Sequence, residues 1–329
     1  MDFEVTPPTT AEFDAVGFGL NAVDHLCIVP GFPENDTKVR IDGFVRAGGG
    51  QAASAMVVCA RFGLSTKYVG KVGGDEIGAF SLESIAREGV DVSDVIRVDG
   101  ATNQIALIIV DARTGARTIL WHRPRGIATT PVEITGERVA TGRVLLLDGH
   151  DAPAAARAAE VARERGVPVV LDAETVKEGT RDLVAGTDVV VASSRFPSLY
   201  TGRGDRIDGL AAILDEGPSL AVATLGAEGA VAMDRSGGTI ESPGFPVEAV
   251  DTTGAGDVFH GAFVFGMLSG WTVERTLRFS NAAAAMNCTA IGARAGVPGL
   301  AEVLRFMGEE ARGGDPEERV DPERTEPAC

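Results

Sequence analysis

The chain has 329 residues, 44% hydrophobic and 23% charged, which excludes a fully disordered polymer and leaves room for one large α/β domain or two small ones. Lys and Arg number 30 against 47 Asp and Glu, a net charge of −17 that argues against broad nucleic-acid binding and against anchoring to an anionic membrane. A local pocket can still be positive inside that field, and 42 glycines with 5% aromatics suit an α/β enzyme rich in tight turns better than a β-sandwich.

Residues 1–12 lack an apolar signal-peptide core and read as a loose arm. Residues 15–29 read as a buried strand with a Gly-rich turn, and 37–46 as a short alternating strand pair exposed on one face. Gly48, Gly49 and Gly50 open an apolar helix, QAASAMVVCARFG. A strand over 67–72, a helix over 78–88 closed by Gly89, and strands at 95–99, 103–111 and 116–123 follow. The segment TGAR at 114–117 is the turn between the last two strands.

From about residue 140 the pattern becomes regular strand–helix alternation. Strands are expected at 144–149, 167–172, 188–193 and 219–226, with helices at 152–165 and 206–216. A hairpin over 229–234 and 239–244 precedes two apolar helices, 255–268 and 273–287. Nearly continuous apolar strands imply a mostly parallel sheet covered by helices on both faces. The strands at about 37–46 and 98–124 interrupt this plan and look like a small lid sheet inserted in a single domain over 13–307. The polar, Pro-rich segment 308–329 is expected to be disordered. Cys27, Cys59, Cys288 and Cys329 are too few and scattered for a disulfide framework. Free thiols, no signal peptide and no apolar run of about 18 residues together predict a cytoplasmic protein.

The sharpest chemical signal is VDTTGAGDVFHGAF, residues 250–263. Small residues at a helix start let backbone N–H groups approach an anion, and Asp257 stands where a carboxylate could accept a hydroxyl proton. A capped helix with glycines for close packing is the competing explanation. No Gly-Lys-Ser/Thr follows, so this is not a P-loop, and its late position excludes a Rossmann fingerprint.

DTTGAGD, together with GFGLNAVD, GGGQAASA, VGKVGGDEIG, TLGAEGA and SNAAAA, resembles the ribokinase-like (PfkB-type) carbohydrate and nucleoside kinases over roughly residues 13–305. That resemblance implies a doubly wound, mostly parallel α/β sheet flanked by helices with a small β-lid. It implies Asp257 as catalytic base and Gly254, Ala255 and Gly256 as the anion hole for the γ-phosphoryl of ATP. Asp24 would contact the sugar, with Asn21 at the pocket edge and Gly48, Gly49, Gly50 and Gln51 beside it. The family pattern usually has Asn where this chain has Ala53, so one sugar contact is missing. Thr224, Gly226 and Gly229 would flank the nucleotide, with Asn281 near adenine, unless Asn281 only satisfies buried backbone.

The family's Asn-x-x-Glu element, which organises Mg²⁺ through water, is replaced here by Ser193 and Phe196. The Ser resembles the ketohexokinase-like branch. Mg²⁺ is still required to neutralise ATP, and Asp148 and Asp172, at strand ends, are candidates to hold it. A K⁺ site is implied at Asp251 and the Thr253 carbonyl, completed by carbonyls near 288–293. His122, Arg123 and Arg125 form a positive island on the lid, read either as solvated surface or as a contact to the outer end of the sugar, with Arg123 its named contact. His150 is a further candidate near the substrate. The function expected is an ATP-dependent kinase of a hydroxyl, primary by preference, on a small sugar or derivative, paired as a homodimer through the lid edges. A nucleoside kinase and a non-enzymatic sugar sensor are the alternatives.

Overall fold

The computed structural model describes residues 1–309. The chain opens with β1 (Phe13–Phe18), β2 (Ala22–Val29), β3 (Gly43–Gly49) and α1 (Gln51–Arg61). Next come β4 (Thr66–Val69), β5 (Lys71–Gly73), α2 (Glu76–Ala86), β6 (Ile96–Val98), β7 (Ile105–Asp111) and β8 (Arg117–His122). The alternating half contains α3 (Gly136–Val139), β9 (Gly142–Asp148), α4 (Ala152–Glu164), β10 (Val169–Ala173), α5 (Thr180–Ala185) and β11 (Val189–Ala192). It ends with α6 (Phe196–Thr201), α7 (Arg206–Leu214), β12 (Leu220–Thr224), β13 (Gly229–Asp234), β14 (Thr239–Pro243), α8 (Ala255–Leu268), α9 (Val273–Asn287) and α10 (Leu300–Phe306).

Eight strands form the main sheet in the order β14-β13-β12-β11-β10-β9-β1-β4. All neighbours from β4 to β12 are parallel, and β13–β14 is an antiparallel hairpin on the edge. Parallel strands need crossover helices, which cover both faces, so strands such as VVVA of β11 are buried throughout. One apolar layer gathers α4, α5 and α7 against the sheet, and the other gathers α1, α8 and α9. The mostly parallel sheet with helices on both faces expected from the alternation is therefore present, in the doubly wound form that the resemblance implied.

Residues 15–29 do not form one strand. The chain leaves the main sheet after Phe18, and β2 joins a second sheet of order β3-β2-β7-β8. Apolar content is high on both sides of that crossing, so the sequence carries no polarity change to mark it. The lid consequently includes residues 22–29, which the sequence pattern assigned elsewhere, and residues 37–42 carry no strand. Residues 1–12 are not a loose arm. Met1, Phe3 and Val5 pack on the apolar layer, the Met1 carbonyl accepts from Val273 N–H at 3.0 Å, and Arg143 Nε donates to the Pro8 carbonyl at 2.8 Å. The expected disordered tail falls, from residue 310 onward and with Cys329, outside the described residues.

Candidate active site

The carboxyl ends of β9, β10, β11 and β12 lie side by side at one edge of the main sheet, the edge where open α/β sheets bind ligands. The lid sheet roofs this edge. Between them lies a cavity of about 450 Å³, lined by residues from both sheets and from the start of α8.

Gly254 precedes α8 with φ of +75°, a left-handed conformation that disfavours any side chain, and a Cβ there would strike the Ala293 backbone. The opening N–H groups of a helix have no acceptor within it. At Gly256 a Cβ would meet nothing within 4 Å, so this face of the helix start is open to the cavity. The loop before it is fastened by Asp251. One of its carboxylate oxygens accepts from Thr253 N–H at 2.9 Å and Thr253 Oγ1 at 2.7 Å, and the other from Gly292 N–H at 2.8 Å. This draws the 288–293 loop against Asp251, with the carboxylate already engaged.

Asp257 sits in the first turn of α8 and faces the cavity. Burial, reinforced by Asp172, pushes its pKa up to about 8. Asp24, on β2, lines the same cavity at 5% exposure. Burial pushes it up to about 6, with Arg294 pulling in the opposite direction. Among the described residues neither carboxylate has a hydrogen-bond partner. An ionised buried carboxylate left unpartnered is costly, so both are poised for a ligand.

The Gly48–Gly50 segment fits around Asp24. A Cβ on Gly49 would run into the Asp24 carboxylate, one on Gly48 into Ser84 and Arg294, and one on Gly50 into the Asn21 backbone. Asn21 is not at the pocket edge. It is buried behind this segment, where its Oδ1 accepts from Ser81 Oγ at 2.5 Å. Gln51 does line the cavity and donates to Asp172 Oδ2 at 3.1 Å.

Asp148 and Asp172 part company. Asp148 accepts from Leu20 N–H at 2.5 Å, Ala52 N–H at 3.4 Å and His150 N–H at 3.0 Å, so it holds the chain crossing and the start of α1 together and is not a metal candidate. Asp172 faces the cavity. Burial, with Glu174 beside it, raises its pKa well above the carboxylate range. His260 backs it: one ring nitrogen lies 2.5 Å from the Gly256 carbonyl, the other 3.1 Å from the Val191 carbonyl and 3.4 Å from Asp172. Ser193 lines the cavity, whereas Phe196 is fully buried and stacked on Tyr200 at 5.2 Å. A buried Phe contributes about 1.5–3 kcal/mol to the core, so this position has been given over to packing.

Thr224 lines the cavity at the end of β12. Gly226 starts a short turn there with open space at its Cα, while a Cβ on Gly229 would strike the Ser242 backbone, which marks Gly229 as packing. Asn281 does not face the cavity either. Its amide donates to the Ser242 carbonyl at 3.0 Å and Ser242 Oγ at 3.1 Å, so it ties β14 to α9.

Of the two readings of the lid island, the contact to the sugar through Arg123 does not hold, and solvated surface describes His122 and Arg125. Arg123 makes a bidentate pair with Asp151 at 2.6 and 2.7 Å, and its fork is spent there. His122 and Arg125 are exposed and outside the cavity. From β8 the residues that do line it are Arg117, Ile119 and Trp121, which alternate on one face of the strand. Arg117 also donates to Thr252 Oγ1. Trp121 meets the His150 ring edge-on at 6.3 Å, and Lys177 Nζ lies 3.4 Å from His150 Nδ1. Sequence reasoning missed Glu174, Lys177 and Arg117. Glu174 had a usable signal, being two residues beyond a strand-end Asp, and the other two had none.

A family model described as pfkB family carbohydrate kinase matches residues 14–299. The chain is 28% identical to ribokinase of Haemophilus influenzae, over 88% of this chain and 96% of the relative. It is 30% identical to an ATP-dependent ribose-1-phosphate kinase of Halopiger xanaduensis, over 84% and 92%. The solved ribokinase from Thermotoga maritima superposes with a TM-score of 0.79 at 23% identity, covering 90% of this chain and 100% of that one, and so shares the fold. The chain belongs to the pfkB family of carbohydrate kinases.

Proposed function

We propose that this carbohydrate kinase transfers the γ-phosphoryl group of ATP to a hydroxyl, primary by preference, of a small sugar or sugar derivative. The carrying observation is that two unpartnered carboxylates, Asp24 and Asp257, share one cavity with the open face of Gly256. Asp24 accepts hydrogen bonds from sugar hydroxyls and fixes the acceptor. The N–H groups of Gly254, Ala255 and Gly256 receive the phosphoryl oxygens. As the acceptor oxygen bonds to phosphorus and the bond to ADP breaks, the hydroxyl proton passes to Asp257. Ile119 and Trp121 on the lid shield that step from water.

Thr224 and Ser193 border the nucleotide side of the cavity, and Gly226 lies on the turn that follows Thr224. Mg²⁺ carried with ATP supplies neutralisation of the phosphates. Asp172 and Glu174 fit a hydrated ion: both face the cavity, while no group of three ligands able to cage a dry ion occurs among the described residues. They take the place left by Ser193 and Phe196. A K⁺ site at Asp251 and the Thr253 carbonyl is part of the same reading, supported by the 288–293 loop closing on Asp251.

A second copy of the chain is assigned to the outer face of the lid, where Phe44, Leu107 and Leu120 are exposed together. Cytoplasmic residence suits the free thiols Cys27, Cys59 and Cys288. No helix among the described residues is long and apolar enough to cross a membrane.

A nucleoside acceptor is disfavoured because, among the described residues, Trp121 is the one Phe, Tyr or Trp lining the cavity. A sugar-sensing role leaves the carboxylate at Asp257 without a purpose. The test is an ATP-coupled turnover screen over ketoses, aldoses, sugar acids and nucleosides. Fastest turnover of a sugar supports the reading. Fastest turnover of a nucleoside, or sugar binding with no turnover, sinks it.

A further inference from the structure

Arg294 follows the loop after α9 and is buried at 7% exposure. Its guanidinium donates to the Gly49 carbonyl at 2.7 Å, to Ser54 Oγ at 2.9 Å and to Ser84 Oγ at 3.4 Å. All three acceptors are neutral, and among the described residues no carboxylate lies within ion-pair distance of it. Its backbone is held by Arg61, which donates to the Arg294 carbonyl at 2.9 Å and pairs with Glu88. A buried charge without an ion partner is expensive, and a well-packed apolar side chain would stabilise the fold more. Such a charge persists where something needs its field.

The neighbour that fits is Asp24. Gly49 is gripped by Arg294 on its carbonyl, and its Cα presses on the Asp24 carboxylate so closely that no Cβ fits. One peptide unit therefore separates the guanidinium from the sugar-site carboxylate. The remaining charged groups facing Asp24 are negative: Asp251 before α8 and Asp257 within it. On the lid, β3 and β7 set Ala47 and Ala106 opposite Asp24, and α1 offers the neutral Gln51.

We propose that Arg294 is a positioning residue for the sugar site, pinning the Gly49 carbonyl and setting a buried cation across that peptide from the Asp24 carboxylate. The proposal rests on the reading of Asp24 as the sugar contact. Arg294 holds the Gly-rich segment in register and favours the ionised carboxylate, the form that accepts hydroxyl hydrogen bonds. The residue before it, Ala293, packs against Gly254, so the same loop supports the sugar side and the phosphoryl side of the cavity.

The test uses the full chain as Arg294→Met and Arg294→Lys. Asp24 is titrated directly by carboxyl ¹³C shifts, and ribose and ATP affinities are measured separately by calorimetry. In Arg294→Met the Asp24 midpoint should rise by about one pH unit, and ribose should bind about tenfold more weakly with ATP unchanged. In Arg294→Lys the charge stays but the three-way grip is lost, so the midpoint should hold while ribose still weakens. An unchanged Asp24 midpoint in a folded Arg294→Met overturns the proposal. Should that variant fail to fold, unchanged ribose affinity in Arg294→Lys overturns it. A parent protein that binds no ribose or other sugar would sink the sugar reading instead, and the carboxyl titration would still decide the role of Arg294.

Discussion

Two glycine runs open two helices in this protein, and they are built for different neighbours. Gly50, before α1, and Gly254, before α8, both take left-handed conformations, with φ of +93° and +75°. Beyond that the runs diverge. Around α1 a Cβ at any of Gly48, Gly49 or Gly50 collides with protein, and the tightest fit is to the Asp24 carboxylate. Around α8, Gly254 is packed on Ala293 but Gly256 faces empty cavity. The first run brings the chain close to one of its own carboxylates. The second leaves room for atoms the chain does not supply. Glycine at a helix start is thus not one signal, and only the space beside each Cα separates packing from binding.

The largest effect should come from the carboxylate on the open side. Asp257→Asn should lower kcat by about 10²–10⁴-fold, the usual worth of a general base, with ATP affinity retained. A kcat within threefold of the parent would remove Asp257 from the chemistry. Since burial and Asp172 push Asp257 up to about 8, kcat/KM in the parent should climb with pH and level off above that value. The sign for stability is opposite. A carboxyl raised on folding contributes stability fully present below its unfolded pKa, near 4, and lost as pH rises through about 8. Asp257→Asn should therefore melt higher than the parent at pH 8 and show no gain near pH 4.

The glycines themselves test the comparison next. Gly256→Ala should fold as well as the parent, because Ala is the better helix former and its methyl enters empty space. Its kcat should drop by up to about 10²-fold if that space belongs to the phosphoryl group, the cost expected of a displacement near 1 Å. Gly49→Ala should do the reverse and lower the melting temperature first. Equal loss of stability in both variants would erase the distinction between the two runs.

Asp24→Ala should weaken sugar binding on the order of 10- to 100-fold, from loss of a charge-assisted hydrogen bond, and leave ATP binding alone. It also sharpens the glycine comparison. Removing the carboxylate frees the space that a Gly49 Cβ would take, so Gly49→Ala should cost less stability in an Asp24→Ala background than alone. A double-mutant cycle on melting free energies reads this coupling. Additive values would mean that Gly49 answers to something other than Asp24.

Much of this was legible in the chain. Helices α8 and α9 run from Ala255 to Leu268 and Val273 to Asn287, as their apolar runs between Gly and Thr starts indicated. The central strands were readable because burial on both faces leaves an unbroken apolar string. Asp24, Gln51, Thr224 and Asp257 were named from motif positions, and the fold gathers them around one cavity. What escaped is what depends on a distant partner. The passage from β1 to β2 has no polarity change. The short helices α5 and α6 have too few turns to show a period. Asn281 has the same neighbours in sequence whether it faces adenine or Ser242. Arg294 lies in the small-residue string GARAG, and nothing local says that its guanidinium reaches Gly49.

Arg123 is the clearest such case and carries the smallest predicted effect on catalysis. It follows β8 directly, and the alternation of a strand cannot say what stands beside its end. There Asp151, at the start of α4, takes both arms of the guanidinium and also accepts Thr129 N–H at 2.8 Å. The pair thus fastens the end of the lid strand to the main domain. Burial pulls the Arg123 pKa down, but the Asp151 carboxylate more than reverses this, so the fork is charged and committed. Both side chains are largely buried, at 13% and 12% exposure. Removing one partner should therefore cost about 3 kcal/mol of stability, the low end for a broken buried pair. Arg123→Ala should lower the melting temperature while KM for sugar and for ATP stays within about twofold, because no arm of the fork reaches the cavity. A selective rise in KM for an anionic sugar over its neutral analogue would return Arg123 to the substrate and make the lid anchor incidental.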